Sequence, residues 1–308
     1  MSIYISAIAS FIPENRIDNY SNALKFNKSA DFVNNRIGIT QLSVKNHECM
    51  TSDLATKAAE KLIHKTNIDI FDIDALVVVT QNGDSDGIPH TSAIVQNNLG
   101  LKTNLSAFDI GLGCSGYVYG LSILKAHMID MGFKNAILIT ADPYSSILDK
   151  NDKNTSMIFG DGASATLLSE RGVFSIGRPQ LSTDGAGKDA LYRNEKLVMD
   201  GRKVFSFVSK KVPIHIRKII EDTSLDQIDL CLIHQGSLAI VDTIRKNLDM
   251  NNEMLPFKIQ NYGNTVSSSI PIMLEGYLDE PKIKNIVISG FGVGLSWATN
   301  ILKRVEKK

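Results

Sequence analysis

Two hydrophobic periods alternate along the chain and together predict an α/β protein. Continuous apolar, β-branched runs at 74–80, 135–140, 229–235 and 284–290 read as strands buried on both faces. Further strands are predicted at 3–12, 41–44 and from 106 onward, with Pro13-Glu14-Asn15 ending the first, and 160–163 reads as a tight turn leading into 165–169. Helical spacing recurs at 19–26, 92–99 and 117–131, and a short helix over 31–39 breaks at Gly38. In 52–65, Leu54, Ala58 and Leu62 share one face, and Ser52 stands where an N-cap belongs.

The order of these elements repeats. Residues 229–235 echo 74–81, residues 284–290 echo 134–140, and 256–264 echo the approach to Cys114, each approach being followed by a helix start built of small residues. Strand, helix, special turn and helix recurring in one order imply two similar α/β units with parallel central strands. If the units pack about a pseudo-twofold axis, the turns carrying Cys114 and Asn264 face one another. His234, at the end of its strand, then points into the same crevice, where open α/β sheets bind ligands.

The stretch 106–117 carries the candidate chemistry: a strand runs into small residues and Cys114 just where a helix begins. Unpaired N–H groups and the positive end of the helix dipole favour a thiolate, so such a cysteine is expected to be a nucleophile near neutral pH.

Composition narrows the partners. Lysine plus arginine and aspartate plus glutamate both number 33, so no bulk charge draws the protein to nucleic acid or an anionic membrane. Cys49, Cys114 and Cys231 have no paired spacing, which argues against a disulfide framework and a zinc site and suits a reducing compartment. The first residues lack a basic region before a long apolar run, and the apolar segment 286–297 is interrupted by three glycines. A cytoplasmic protein without membrane insertion is expected.

The runs around Cys114 (108–120), Phe159-Gly160-Asp161-Gly162-Ala163, Ile233-His234-Gln235, Gly263-Asn264-Thr265 and Gly290–Trp297, in this order, resemble the β-ketoacyl-ACP synthase III family of the thiolase-like superfamily. The resemblance implies a layered α-β-α-β-α fold of two duplicated halves with mixed central sheets, 1–169 carrying the nucleophile and 170–308 the histidine and asparagine. It implies that Cys114 takes an acyl group from acyl-CoA, with no permanently bound cofactor and no metal. His234 and Asn264 would bind the thioester carbonyl of malonyl-ACP or malonyl-CoA, and the backbone N–H groups of Cys114 and Val293 would hold the acyl oxyanion. Arg36 resembles the arginine that touches the nucleotide of coenzyme A, and Phe32 replaces an adenine-stacking tryptophan. Ile88 lies in the loop that closes the acyl pocket of the other subunit, so a homodimer is implied.

Two departures from the family pattern suggest a specialised paralogue. Ala239 stands where carrier-using members have an arginine, and Val293 stands where a glycine is usual. Two reactions remain open: decarboxylating condensation with a malonyl thioester, or transfer of the acyl group to an amine or hydroxyl acceptor. A papain-like hydrolase shares the order Cys, His, Asn, but the α/β repeat counts against it, and retention of all three polar residues counts against a non-catalytic scaffold. Cys49, Cys231 and the remaining histidines read as ordinary surface or core residues, and Gly160-Asp161-Gly162 as a structural turn.

Overall fold

The computed structural model describes residues 1–305 apart from Ser224 and Asp226; the last three residues of the predicted second half lie outside the described residues. Ten strands form the main sheet. In chain order they are β1 (Tyr4–Phe11), β2 (Ala75–Val79), β3 (Ser106–Ile110), β4 (Asn135–Ala141), β5 (Ala163–Ser169), β6 (Phe174–Ile176), β7 (Gln180–Thr183), β8 (Leu230–Ile233), β9 (Asn285–Gly292) and β10 (Ser296–Arg304). Six helices flank them: α1 (Thr51–Thr66), α2 (Thr91–Asn98), α3 (Gly116–Met131), α4 (Gly201–Asp222), α5 (Leu238–Leu248) and α6 (Ser269–Glu275).

The predicted repeat is present in the strand order. In the first half β1 pairs antiparallel with β5, β5 antiparallel with β4, and β4 parallel with β2. In the second, β6 pairs antiparallel with β10, β10 antiparallel with β9, and β9 parallel with β8. β1 and β6 meet through Tyr4–Ser175 and Ile5–Phe174, which joins the two halves. The repeat extends to single hydrogen bonds. Asp74 accepts from the N–H groups of Lys134 and Asn135, and Asp229 accepts from those of Lys284 and Asn285.

Strand periodicity sorts the core into layers, because successive side chains leave a strand on opposite faces. Leu76, Val78, Ile137 and Ile139 pack outward on Leu54, Ala58 and Leu62 of α1. Val77, Val79 and Leu138 turn inward, where Tyr117 and Leu121 of α3 and Ile270 and Leu274 of α6 separate them from Leu232, Ile286 and Ile288. Cys231, Ile233 and Val287 face the far side, under Val212 and Ile216 of α4 and Val241 and Ile244 of α5. The order is helix, sheet, helix, sheet, helix.

Three local expectations are corrected. Ser52 lies inside α1 and not at its cap: Asp53 accepts the Met50 N–H at 2.8 Å, and Asp84 accepts those of Thr51 and Ser52. The segment expected as a short helix over 31–39 is one turn of α-helix followed by a π-turn, Val33–Ile37, closed by Gly38 at φ 74°. Only glycine fits there, since a Cβ would stand 2.5 Å from that of Leu238. Finally, 256–264 forms no strand beside β8, whereas β3 pairs with β2. The Gln235 side chain donates to the Pro256 carbonyl and accepts the Lys258 N–H, so a side chain makes the bonds that a strand ladder would make there.

Candidate active site

Cys114 follows β3 and stands two residues before α3, as its turn predicts. Glycines make the place for it. Gly116 packs against Val79, where a Cβ would fall 2.4 Å from a methyl carbon, so the helix starts tight on β2. Across the middle layer, β9 passes behind the cysteine. A Cβ on Gly290 would stand 2.5 Å from the Cys114 carbonyl oxygen, and one on Gly292 would stand 2.8 Å from Sγ.

That enclosure works against a ready thiolate. Cys114 is only 4% exposed, and burial pushes its thiol up to about 12, with the nearby Asp142 carboxylate adding to the rise. The N–H groups of Cys114 and Val293 face the sulfur and pull the other way, but they do not win. Burial thus opposes the thiolate while two backbone donors beside the sulfur favour it.

His234 comes directly after β8, its N–H held by the Ser289 carbonyl at 2.8 Å. Its Nδ1 lies 2.9 Å from Ser269 Oγ, and the edge of Phe291 meets its face at 5.5 Å between centroids. Burial lowers its pKa to about 4, opposed by the Val266 backbone, which favours a neutral ring able to hydrogen-bond but without charge.

Asn264 sits between halves. Its N–H donates to Ile158 and its carbonyl accepts from Gly160, both across to the first half. Oδ1 accepts the Val266 N–H at 2.8 Å, which fixes the carboxamide and leaves Nδ2 as the end without a protein partner among the described residues. Gly160 can approach because it lacks a side chain; a Cβ would fall 1.8 Å from the Tyr262 carbonyl oxygen. Asp161 beside it accepts from Lys45 N–H and from Ser145, which is structural work.

Cys114, His234 and Asn264 line one cavity of about 170 Å³, walled by Phe159, Leu191, Met199 and Phe291 and opening past Phe205 and Ser237. A thiol, the Asn264 carboxamide and the His234 ring from the opposite half, and an apolar wall can hold an acyl thioester and stabilise a developing oxyanion.

Residues 108–185 match the 3-oxoacyl-[acyl-carrier-protein] synthase III family, and residues 220–304 match its C-terminal part. Beta-ketoacyl-[acyl-carrier-protein] synthase III of Geobacillus kaustophilus is 32% identical over 313 residues, covering 98% of this chain and 99% of that one. The chain belongs to this family. The enzyme of the same name from Streptococcus sanguinis is 34% identical, with 97% of this chain and 98% of that one covered. The solved structure of the Thermus thermophilus synthase superposes with a TM-score of 0.90 at 30% identity, over 97% of this chain and 98% of that one. The family makes the chain an acyltransferase of the condensing type with the thiolase-like fold.

The other predicted residues lie apart from the cavity. Arg36 is exposed on the π-turn and Phe32 is half-buried beneath Lys28, whose ammonium is 5.5 Å from the ring centroid. Ile88 is 82% exposed and does not line this chain's cavity. Ala239 lies in the first turn of α5. Among the described residues no cluster of three or more His, Cys, Asp or Glu is arranged to hold a metal ion, and no helix is long and apolar enough to cross a membrane.

Sequence reasoning missed Asp142, which follows β4 and is fully buried. It accepts from the Gln81 N–H at 2.7 Å and from the hydroxyls of Thr80 and Ser267, so it ties the end of two first-half strands to the turn of Asn264. Burial raises its carboxyl to about 6. A charged residue ending an apolar strand was the available signal. Ser269 was also missed, because its meaning depends on the histidine it meets in space.

Proposed function

We propose that Cys114 accepts an acyl group from acyl-CoA and that the enzyme condenses it with a malonyl thioester by decarboxylation. The convergence of the Cys114 thiol with the free donor ends of His234 and Asn264 in one cavity carries this reading. Sγ attacks the thioester carbonyl, and the N–H groups of Cys114 and Val293 receive the oxyanion. The carbon–sulfur bond to coenzyme A breaks and the Cys114 proton leaves with that sulfur, so a neutral thiol serves as well as a thiolate in the balance. In the second step the malonyl C–CO₂ bond breaks, and its electron pair moves onto the thioester oxygen held by His234 and Asn264. The resulting carbanion attacks the acyl-Cys114 carbonyl and expels the cysteine sulfur. Each oxyanion donor of this kind contributes about a hundredfold in rate.

Arg36 and Phe32 would hold the nucleotide of coenzyme A, and no permanent cofactor enters the scheme. β3 is the outermost strand, with one edge unpaired; pairing that edge with a second copy would form a homodimer and bring Ile88 to the partner's acyl pocket. The halves would divide in the turn between Ser169 and Phe174. Such an enzyme would work in the cytoplasm. Ala239, in place of a docking arginine, favours as second reading an acyltransferase that delivers the acyl group to an amine or hydroxyl.

Mass spectrometry after incubation with a panel of acyl-CoA thioesters tests the first step. An acyl adduct on Cys114, absent from Cys114→Ala, is expected; no adduct from any donor would end the proposal.

A further inference from the structure

We propose that Ser269 is a positioning residue that sets the tautomer of His234 and thereby makes Nε2 a hydrogen-bond donor toward the cavity. This rests on the reading that His234 and Asn264 hold the malonyl thioester oxygen. Asn264 needs no further help, since Oδ1 is occupied by the Val266 N–H and only the NH₂ end remains. A neutral histidine is ambiguous: one ring nitrogen carries hydrogen and the other a bare lone pair. If Nδ1 held the hydrogen, Nε2 would present its lone pair to an enolate oxygen and repel it.

The partners of Nδ1 decide the matter. Ser269 Oγ lies 2.9 Å from it, and the Val266 backbone is close enough to the ring to favour its protonation. A carbonyl can only accept. A hydroxyl can donate, and Ser269 is the group that can offer Nδ1 a hydrogen. The same Oγ lies 3.2 Å from the Val266 carbonyl, so its hydrogen has two destinations. The shorter contact is to the ring, and an oxyanion in the cavity selects the same arrangement: Ser269 O–H to Nδ1, and Nε2–H to the oxygen. Ser269 is fully buried, so no water competes for the place. In Ser269→Ala that donor is gone, and the ring turns to the Nδ1–H form without any change in the cavity lining.

The consequence is a split between half-reactions. Acylation of Cys114 uses the backbone donors, whereas decarboxylation uses Nε2. In Ser269→Ala, acyl-Cys114 should form within about twofold of the wild-type rate, while release of labelled carbon dioxide from a malonyl thioester falls about a hundredfold, the effect of one lost oxyanion donor. Ser269→Thr, which keeps the hydroxyl, should recover most of the loss. Nitrogen NMR of ¹⁵N-histidine-labelled protein should find hydrogen on Nε2 of His234 in the wild type and on Nδ1 in Ser269→Ala. Should the alanine variant not fold, the wild-type spectrum decides alone. Hydrogen on Nδ1 in the wild type, equal losses in both half-reactions, or wild-type decarboxylation by Ser269→Ala would each overturn the inference. His234→Ala in the same assay separates the two levels: undiminished decarboxylation there would remove the underlying reading as well.

Discussion

Replacing Gly290 by alanine would test whether β9 positions the nucleophile. Its Cβ would stand 2.5 Å from the Cys114 carbonyl oxygen and 2.8 Å from Ser115 Cα, both backbone atoms that cannot rotate away. Ordinary contact begins at 3.4 Å, so strand and cysteine turn must separate by nearly an ångström. Forcing one methyl into a closed core costs about 1–3 kcal/mol. The displaced group includes the Cys114 N–H itself, and misplacement on the order of 1 Å at a reacting centre costs about a hundredfold in rate. Urea unfolding would measure the first effect and the burst of coenzyme A released from an acyl-CoA the second. Gly185→Ala is the control, because its Cβ meets nothing within 4 Å. A Gly290→Ala enzyme with wild-type stability and acylation would refute the claim that β9 holds the cysteine in place.

Three further outcomes are expected. Because burial holds the Cys114 thiol at about 12, its alkylation by iodoacetamide should rise about tenfold per pH unit from pH 7 to pH 10; a plateau near neutrality would mean an activated thiolate. His234 is depressed from 6.5 to about 4, so the folded state resists its protonation. Its contribution is complete above pH 6.5 and is lost as pH falls toward about 4. The urea midpoint of the wild type should therefore drop more between pH 7 and pH 5 than that of His234→Asn, and parallel drops would contradict the shift. Asp74→Ala and Asp229→Ala each remove two hydrogen bonds at half-exposed N–H groups, costing about 0.5–1.5 kcal/mol per bond. The double variant should show the sum, as for independent sites, and strong coupling in thermal melts would argue against equivalent, separate caps.

The strands and the repeat were legible because period and order are local: Asp74 with Asn135, and Asp229 with Asn285, mark the same junction twice. The small residues around Cys114 likewise marked a turn into a helix. What stayed hidden depends on partners far along the chain. The burial of the thiol follows from β9 closing over it, and nothing in 106–117 announces that. Asp142 meets Ser267 across 125 residues, and His234 meets Ser269 across 35. At 256–264 no strand forms because the Gln235 side chain takes the ladder's place, and the hydrophobic pattern cannot register a side chain acting as a strand.

Attack on acyl-Cys114 by a carbanion born from decarboxylation is tested by loading the enzyme with an acyl-CoA and adding carboxyl-labelled malonyl thioester, on coenzyme A and on a carrier protein. Labelled carbon dioxide, a 3-oxoacyl product and loss of the Cys114 adduct are expected, all absent in Cys114→Ala. A stable adduct that yields no carbon dioxide with either malonyl donor would contradict it and leave acyl transfer to another acceptor as the reaction.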